Sequence, residues 1–215
     1  MFGSNIKTLP IDLDKFGFVE REMINGKTLT NQCGRDFFYY VLNYYYPEKF
    51  NPSALSPEVI SKKEIFGINM PLGLIWTGLS FRKIPTLLKQ LNLRFTINNK
   101  PVTSYFSFLL GMMPFRHQPF EKGMKDIEKS VDLGQAAGID ISISLGGLGD
   151  HIMFVYGYDK DNLYVFDTHQ AFCPDYTKLT PIDDNRFIMK LPKFVIKKRW
   201  TIFNRVWVVS KTKLW

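Results

Sequence analysis

Asn31-Gln32-Cys33-Gly34-Arg35-Asp36 runs straight into Phe37-Phe38-Tyr39-Tyr40-Val41-Leu42, so one of the chain's two cysteines stands at the mouth of a helix too apolar to lie on a surface. The ends of that helix are legible. Thr30 or Asn31 can cap its first turn, Asp36 sets a carboxylate near its positive end, and Pro47 stops it after Tyr46. Counted from Cys33, residues Phe37, Tyr40, Val41 and Tyr44 fall at i+4, i+7, i+8 and i+11, which puts the thiol on the inward stripe. A buried cysteine is commonly a small hydrophobe. A helix N-terminus, however, presents free N–H groups and a partial positive charge that favour the thiolate. Cys33 is therefore a candidate nucleophile.

The 215 residues are enough for a dry core and are read as a single domain, 1–215. The net charge of +8 (28 basic, 20 acidic) and pI near 9.4 permit an acidic partner without requiring one. The only dense basic run, Lys197-Lys198-Arg199, reads as a solvated rim, and no nucleic-acid partner is expected. Cys33 and Cys173 are too few for a disulfide framework. The N-terminus lacks a basic segment followed by an apolar one, so the chain is expected to be cytoplasmic and reduced. The longest uncharged span, 65–81, is broken by Asn69, Pro71 and three glycines and is too short to cross a membrane; it reads as a buried loop with a short helix.

Outward from the central helix, Asn25-Gly26 marks a turn within an otherwise aperiodic N-terminal stretch. Pro47, Pro52 and Pro57 punctuate a connection, with a short helix expected from Ser56 to Glu64. Ile84, Leu87, Leu88 and Leu91 predict an amphipathic helix from about Ser80 to Leu91. Leu93 to Ile97 alternates as a strand, and Asn98-Asn99 turns it. The Phe-, Leu- and Met-rich stretch from Thr103 to Met113 predicts a buried helix or a substrate-facing wall, and Phe120 to Asp132 a charged surface helix.

From Ala137 the period becomes two. Ile139, Ile141 and Ile143 alternate with Asp140, Ser142 and Ser144, and Gly146-Gly147-Leu148-Gly149 makes a bend. His151 to Tyr158, Leu163 to Asp167, Arg186 to Leu191 and Arg205 to Ser210 follow as strands, with a turn over Asp159-Lys160-Asp161-Asn162. Helices first and an antiparallel sheet after them predict an α+β domain, its N-terminal helical half packed on a C-terminal sheet. His151 opens one strand of a hairpin and Asp167 closes the other, so both can reach one end of the sheet. A one-residue difference in the loop would put them on opposite faces, and the residues leave that register open.

Gln32-Cys33-Gly34 entering a buried helix, with Gly149-Asp150-His151-Ile152-Met153-Phe154-Val155-Tyr156-Gly157-Tyr158-Asp159 and Leu163-Tyr164-Val165-Phe166-Asp167, resembles the papain-like cysteine peptidases. The nearest likeness is to their bacteriocin-processing, double-glycine leader peptidase type, and it spans most of residues 28–210. The helix beginning Gly78-Leu79-Ser80 resembles the family's second helix, and Trp200 its late aromatic. The resemblance implies a papain-like fold and an enzyme in which Cys33 is the thiolate, His151 the general base and Asp167 the residue that orients the imidazole. It also implies a glutamine in the oxyanion hole beside the Cys33 N–H. The family's glutamine stands several residues before the cysteine, whereas here Lys27 is six back; Gln32 is assigned, with Asn31 as substitute.

The implied reaction is hydrolysis of a peptide or protein amide through a thioester, with no cofactor or metal. Capture of the thioester by an amine or thiol would make a transferase. A non-catalytic papain-like module that binds a peptide or partner is the reading from a different class. Cys173, His169 and Asp167 have the residue types of a metal cluster but no second Cys/His pair, and Gly146 to Gly149 lacks the Lys-Ser/Thr ending of a phosphate loop.

Overall fold

The computed structural model describes residues 6–16, 23–24, 27–28, 33–47, 49, 84–142, 150–166 and 188–211. The strands are β1 (Lys7–Thr8), β2 (Met23–Ile24), β3 (Lys27–Thr28), β4 (Leu93–Ile97), β5 (Lys100–Pro101), β6 (Ala136–Ser142), β7 (Asp150–Tyr158), β8 (Asn162–Phe166), β9 (Ile188–Pro192) and β10 (Arg205–Lys211). The helices are α1 (Cys33–Tyr45), α2 (Ile84–Gln90), α3 (Tyr105–Gly111), α4 (Phe120–Asp132) and α5 (Lys193–Arg199). The expected helix over 56–64, the loop over 65–81 and the glycine bend at 146–149 lie outside the described residues.

Eight strands form one antiparallel sheet in the order β5-β4-β10-β6-β7-β8-β9, with β1 on β7 beyond the start of β6. A small hairpin joins β2 and β3 across the Asn25-Gly26 position. The class is therefore α+β, but the division into a helical half and a sheet half is corrected. β1, β4 and β5 come from the first half of the chain and belong to the main sheet. The reason is partner supply: β4 buries Leu93, Phe95 and Ile97, and the last strand, β10, returns to pair with it along Leu93 to Ile97.

Side-chain contacts identify the two faces. On one lies α1, with Phe37 5.6 Å from Trp207 and 6.3 Å from Phe154, Tyr40 5.3 Å from Phe166, and Phe38 5.4 Å from Phe95, measured between ring centroids. Phe37 through Leu42 are all buried, as a helix apolar on every side requires. On the other face lies α4, whose Gly123 sits against Val206 and Trp200 and whose Met124, Ile127 and Val131 are buried. Because both faces are covered, β6 does not alternate apolar-in and polar-out. Asp140 is buried like its isoleucine neighbours.

One element differs from the expectation of a buried helix. The helix within Thr103 to Met113 is α3, and it buries only Phe108 and Gly111; Phe106 and Leu109, and Met113 beyond its end, face solvent. Lys197-Lys198-Arg199 is the last turn of α5, with Lys197 and Lys198 exposed as a solvated rim would be and placed where cations complement the helix dipole.

The turns follow residue chemistry. Asn98 and Asn99 carry φ of 49° and 62°, the left-handed pair that a two-residue hairpin turn needs. At the far end of β7, Asp159 Oδ1 accepts from the backbone N–H groups of Asp161 and Asn162 at 2.8 and 2.7 Å, and Tyr164 Oη donates to Oδ2 at 2.7 Å. Burial, the largest single influence, pushes the Asp159 carboxyl up, but the donors together hold it below its ordinary value. A carboxyl depressed in the folded state adds stability above its unfolded pKa and loses it as pH falls through the folded one.

Asp159→Ala is accordingly expected to cost about 1–2 kcal/mol in urea melts at neutral pH, the difference from wild type shrinking below about pH 4. Gly138 of β6 lies under Phe37, and an added Cβ would overlap the ring. Gly138→Val is expected to lower stability by about 3 kcal/mol, read as a reduced urea midpoint at unchanged slope.

Candidate functional site

Cys33 is the first residue of α1; its thiol is free and the residue is 9% exposed. The direction of the helix follows from contacts at its other levels. At the C-terminal end Tyr44 Oη donates to the Gly134 carbonyl at 2.9 Å. Tyr45 Oη donates to the Val209 carbonyl at 2.6 Å and accepts from the Ala136 N–H at 3.1 Å. Burial raises the pKa of both phenols, so they remain protonated donors. Midway, Phe37 lies on Gly138. The helix thus runs antiparallel to β6, and Cys33, one turn before Phe37, belongs to the end where β6 stops and β7 begins.

His151 is the second residue of β7, 7% exposed, and stands across from Ile141 at that same end. Cys33 and His151, separated by more than half the chain, are therefore brought to one edge of the sheet. The pleat sets them on different faces. Phe154 packs against Phe37 and Tyr40, and the ladder between β6 and β7 runs without a break from Asp150 to Val155. Alternation then gives Ile152 and Phe154 to the α1 face and His151 and Met153 to the face shared with Ile139, Ile141 and Val206, under α4. The bulge between Val155 and Gly157 lies beyond this stretch and does not alter the parity.

Asp167, Gln32 and Asn31 lie outside the described residues, as do His169 and Cys173. The strand that leads to Asp167 ends at Phe166, paired with Phe154 and stacked on it at 5.4 Å. That stack holds the β7–β8 hairpin under α1.

Buried charge at this edge was not marked by the sequence pattern. Arg205 and Asp140 face each other across the β10–β6 ladder and are both almost fully buried. They share the α1 face, since their neighbours Trp207 and Gly138 touch Phe37. The Arg205 guanidinium donates to the carbonyls of Gly111, Met112 and Phe203, which fastens the end of α3 and the turn before β10 to the sheet. Locally Arg205 reads as one more surface arginine; only the partner strands reveal its position. Asp36, expected near the positive end of the helix, is buried there.

Among the described residues no group of three or more His, Cys, Asp or Glu is arranged to hold a metal ion, and no helix is long and apolar enough to cross a membrane. No family model matches the chain, and no curated protein matches it.

Proposed function

We propose that the chain is a papain-like thiol hydrolase acting on a peptide or protein amide in the cytoplasm. The observation that supports this reading is the position of Cys33, a free thiol opening a buried helix at the same edge of the sheet as His151. In the reaction the Cys33 sulfur attacks the amide carbonyl carbon and its proton passes to His151. The C–N bond breaks as the imidazolium gives that proton to the leaving amine, and water then cleaves the thioester and restores the thiol. Asp167 orients the imidazole, and Gln32 with the Cys33 N–H stabilises the oxyanion. The alternation along β7 sets a condition on this chemistry: the first two residues of the strand must rotate to carry the ring past the strand end towards the thiol.

The same alternation favours a second reading, a non-catalytic papain-like module in which Cys33 is a core residue and the edge of the sheet binds a peptide. Labelling with a thiol-directed electrophile near neutral pH separates the two. In the hydrolase Cys33 reacts at least about tenfold faster than Cys173, and His151→Ala removes that excess, because the imidazole is what draws off the proton. In the module the two cysteines do not differ in that sense and His151→Ala leaves the Cys33 rate unchanged, which would refute the hydrolase.

A further inference from the structure

Three buried charges gather where α1 begins. Phe37 lies on the ladder pair Gly138–Trp207, touching the glycine and meeting the indole edge-on at 5.6 Å. Cys33 stands one turn nearer the helix start, about 6 Å back along an axis antiparallel to β6. Two residues on along β6, about 7 Å, the next ladder pair on the same face is Asp140–Arg205. The first turn of α1 is therefore level with that pair. On β7 the residue at this level is Ile152, which pairs with Asp140 and adds no charge. The helix adds one of its own, since Asp36 is 4% exposed, against 1% for Asp140 and 2% for Arg205. His151 takes the other face of the sheet.

Packing alone does not call for this pair. Elsewhere α1 rests on Phe95, Phe154, Phe166 and Trp207, and opposite charges in a core contribute little that well-packed apolar residues would not. Charge in a dry interior does act at longer range than charge at a surface, because solvent and salt screen it poorly. Both charges are also held in place. The Arg205 donors engage the carbonyls of Gly111, Met112 and Phe203. Asn204 Nδ2 donates to the Asp140 carbonyl at 3.3 Å, tying β6 to the start of β10. A fixed carboxylate and a fixed guanidinium level with a thiol act on any charge that approaches it: Asp140 repels an anion and Arg205 attracts one.

We propose that Asp140 and Arg205 set the charge preference at Cys33 and so determine which charge a substrate carries beside the amide that is cut. The proposal rests on the hydrolase reading for its use, but its test does not. The full chain is treated with iodoacetamide and with iodoacetate, reagents of nearly one size that differ by one negative charge, and alkylation of Cys33 is followed by peptide mass spectrometry. Accessibility and thiol ionisation act on both reagents alike, so the ratio of the two rates isolates the local potential. Asp140→Asn is expected to raise the iodoacetate-to-iodoacetamide ratio about threefold and Arg205→Gln to lower it about threefold, with urea melts checking that each variant folds. A merely structural role would move the two rates together and leave the ratio alone. If one variant does not fold, the other decides. An unchanged ratio overturns the proposal, as does a shift of the same sign in both variants or a folded wild type whose Cys33 takes up neither reagent. A Cys33 rate that His151→Ala leaves unaltered would sink the hydrolase without touching this ratio, so the two failures are told apart.

Discussion

Close approach of one aromatic ring to one glycine holds the architecture together. Phe37 can approach the sheet this closely only because Gly138 has no Cβ, and that contact lets α1 sit low enough for Phe38 and Tyr40 to reach Phe95, Trp207, Phe154 and Phe166 on four other strands. The cluster is a single packed body with near-perpendicular and stacked pairs, the geometries that aromatic quadrupoles favour. The tyrosine hydroxyls at the C-terminal end of α1 then bind carbonyls at the sheet's opposite edge, so the helix is located along its length as well as in depth.

That placement decides what surrounds Cys33. A helix laid antiparallel to β6 brings its N-terminus to the edge where β7 begins, and the thiol and His151 arrive there together. The pleat then determines which side of the strand each belongs to. Gly138 and Phe154 form a cross-strand pair on the α1 face, so the parity at His151, three residues away, is opposite. The first two residues of β7 therefore decide which face of the sheet the imidazole occupies.

A different balance governs the region around α3. Arg205 is buried at 2% exposure, with its donors on three carbonyls. Such an arrangement is costly unless the guanidinium is fully engaged. What it secures is the attachment of the end of α3 and of the turn before β10 to the sheet.

Local chemistry was sufficient for the elements whose signals are local. Pro47 and the run from Phe37 to Leu42 specified α1, alternation specified β4, paired asparagines specified their turn, and Phe120 to Asp132 was read with the bounds it has. Local signals do not suffice where the deciding partner is remote. Lys7–Thr8 is too short to show a period and is a strand only because Tyr158 and Gly157 pair with it. Composition around α3 and alternation along β6 do not show which faces other elements cover, and there Phe106 and Leu109 are exposed while Asp140 is buried. The amino-acid sequence by itself determined that Cys33 opens a buried helix and that the class is α+β, since propensity, capping and periodicity act within a few residues. Only the tertiary structure decided which end of the sheet the thiol shares with His151 and which face of β7 that histidine takes, because register is a property of two paired strands and is written in neither alone.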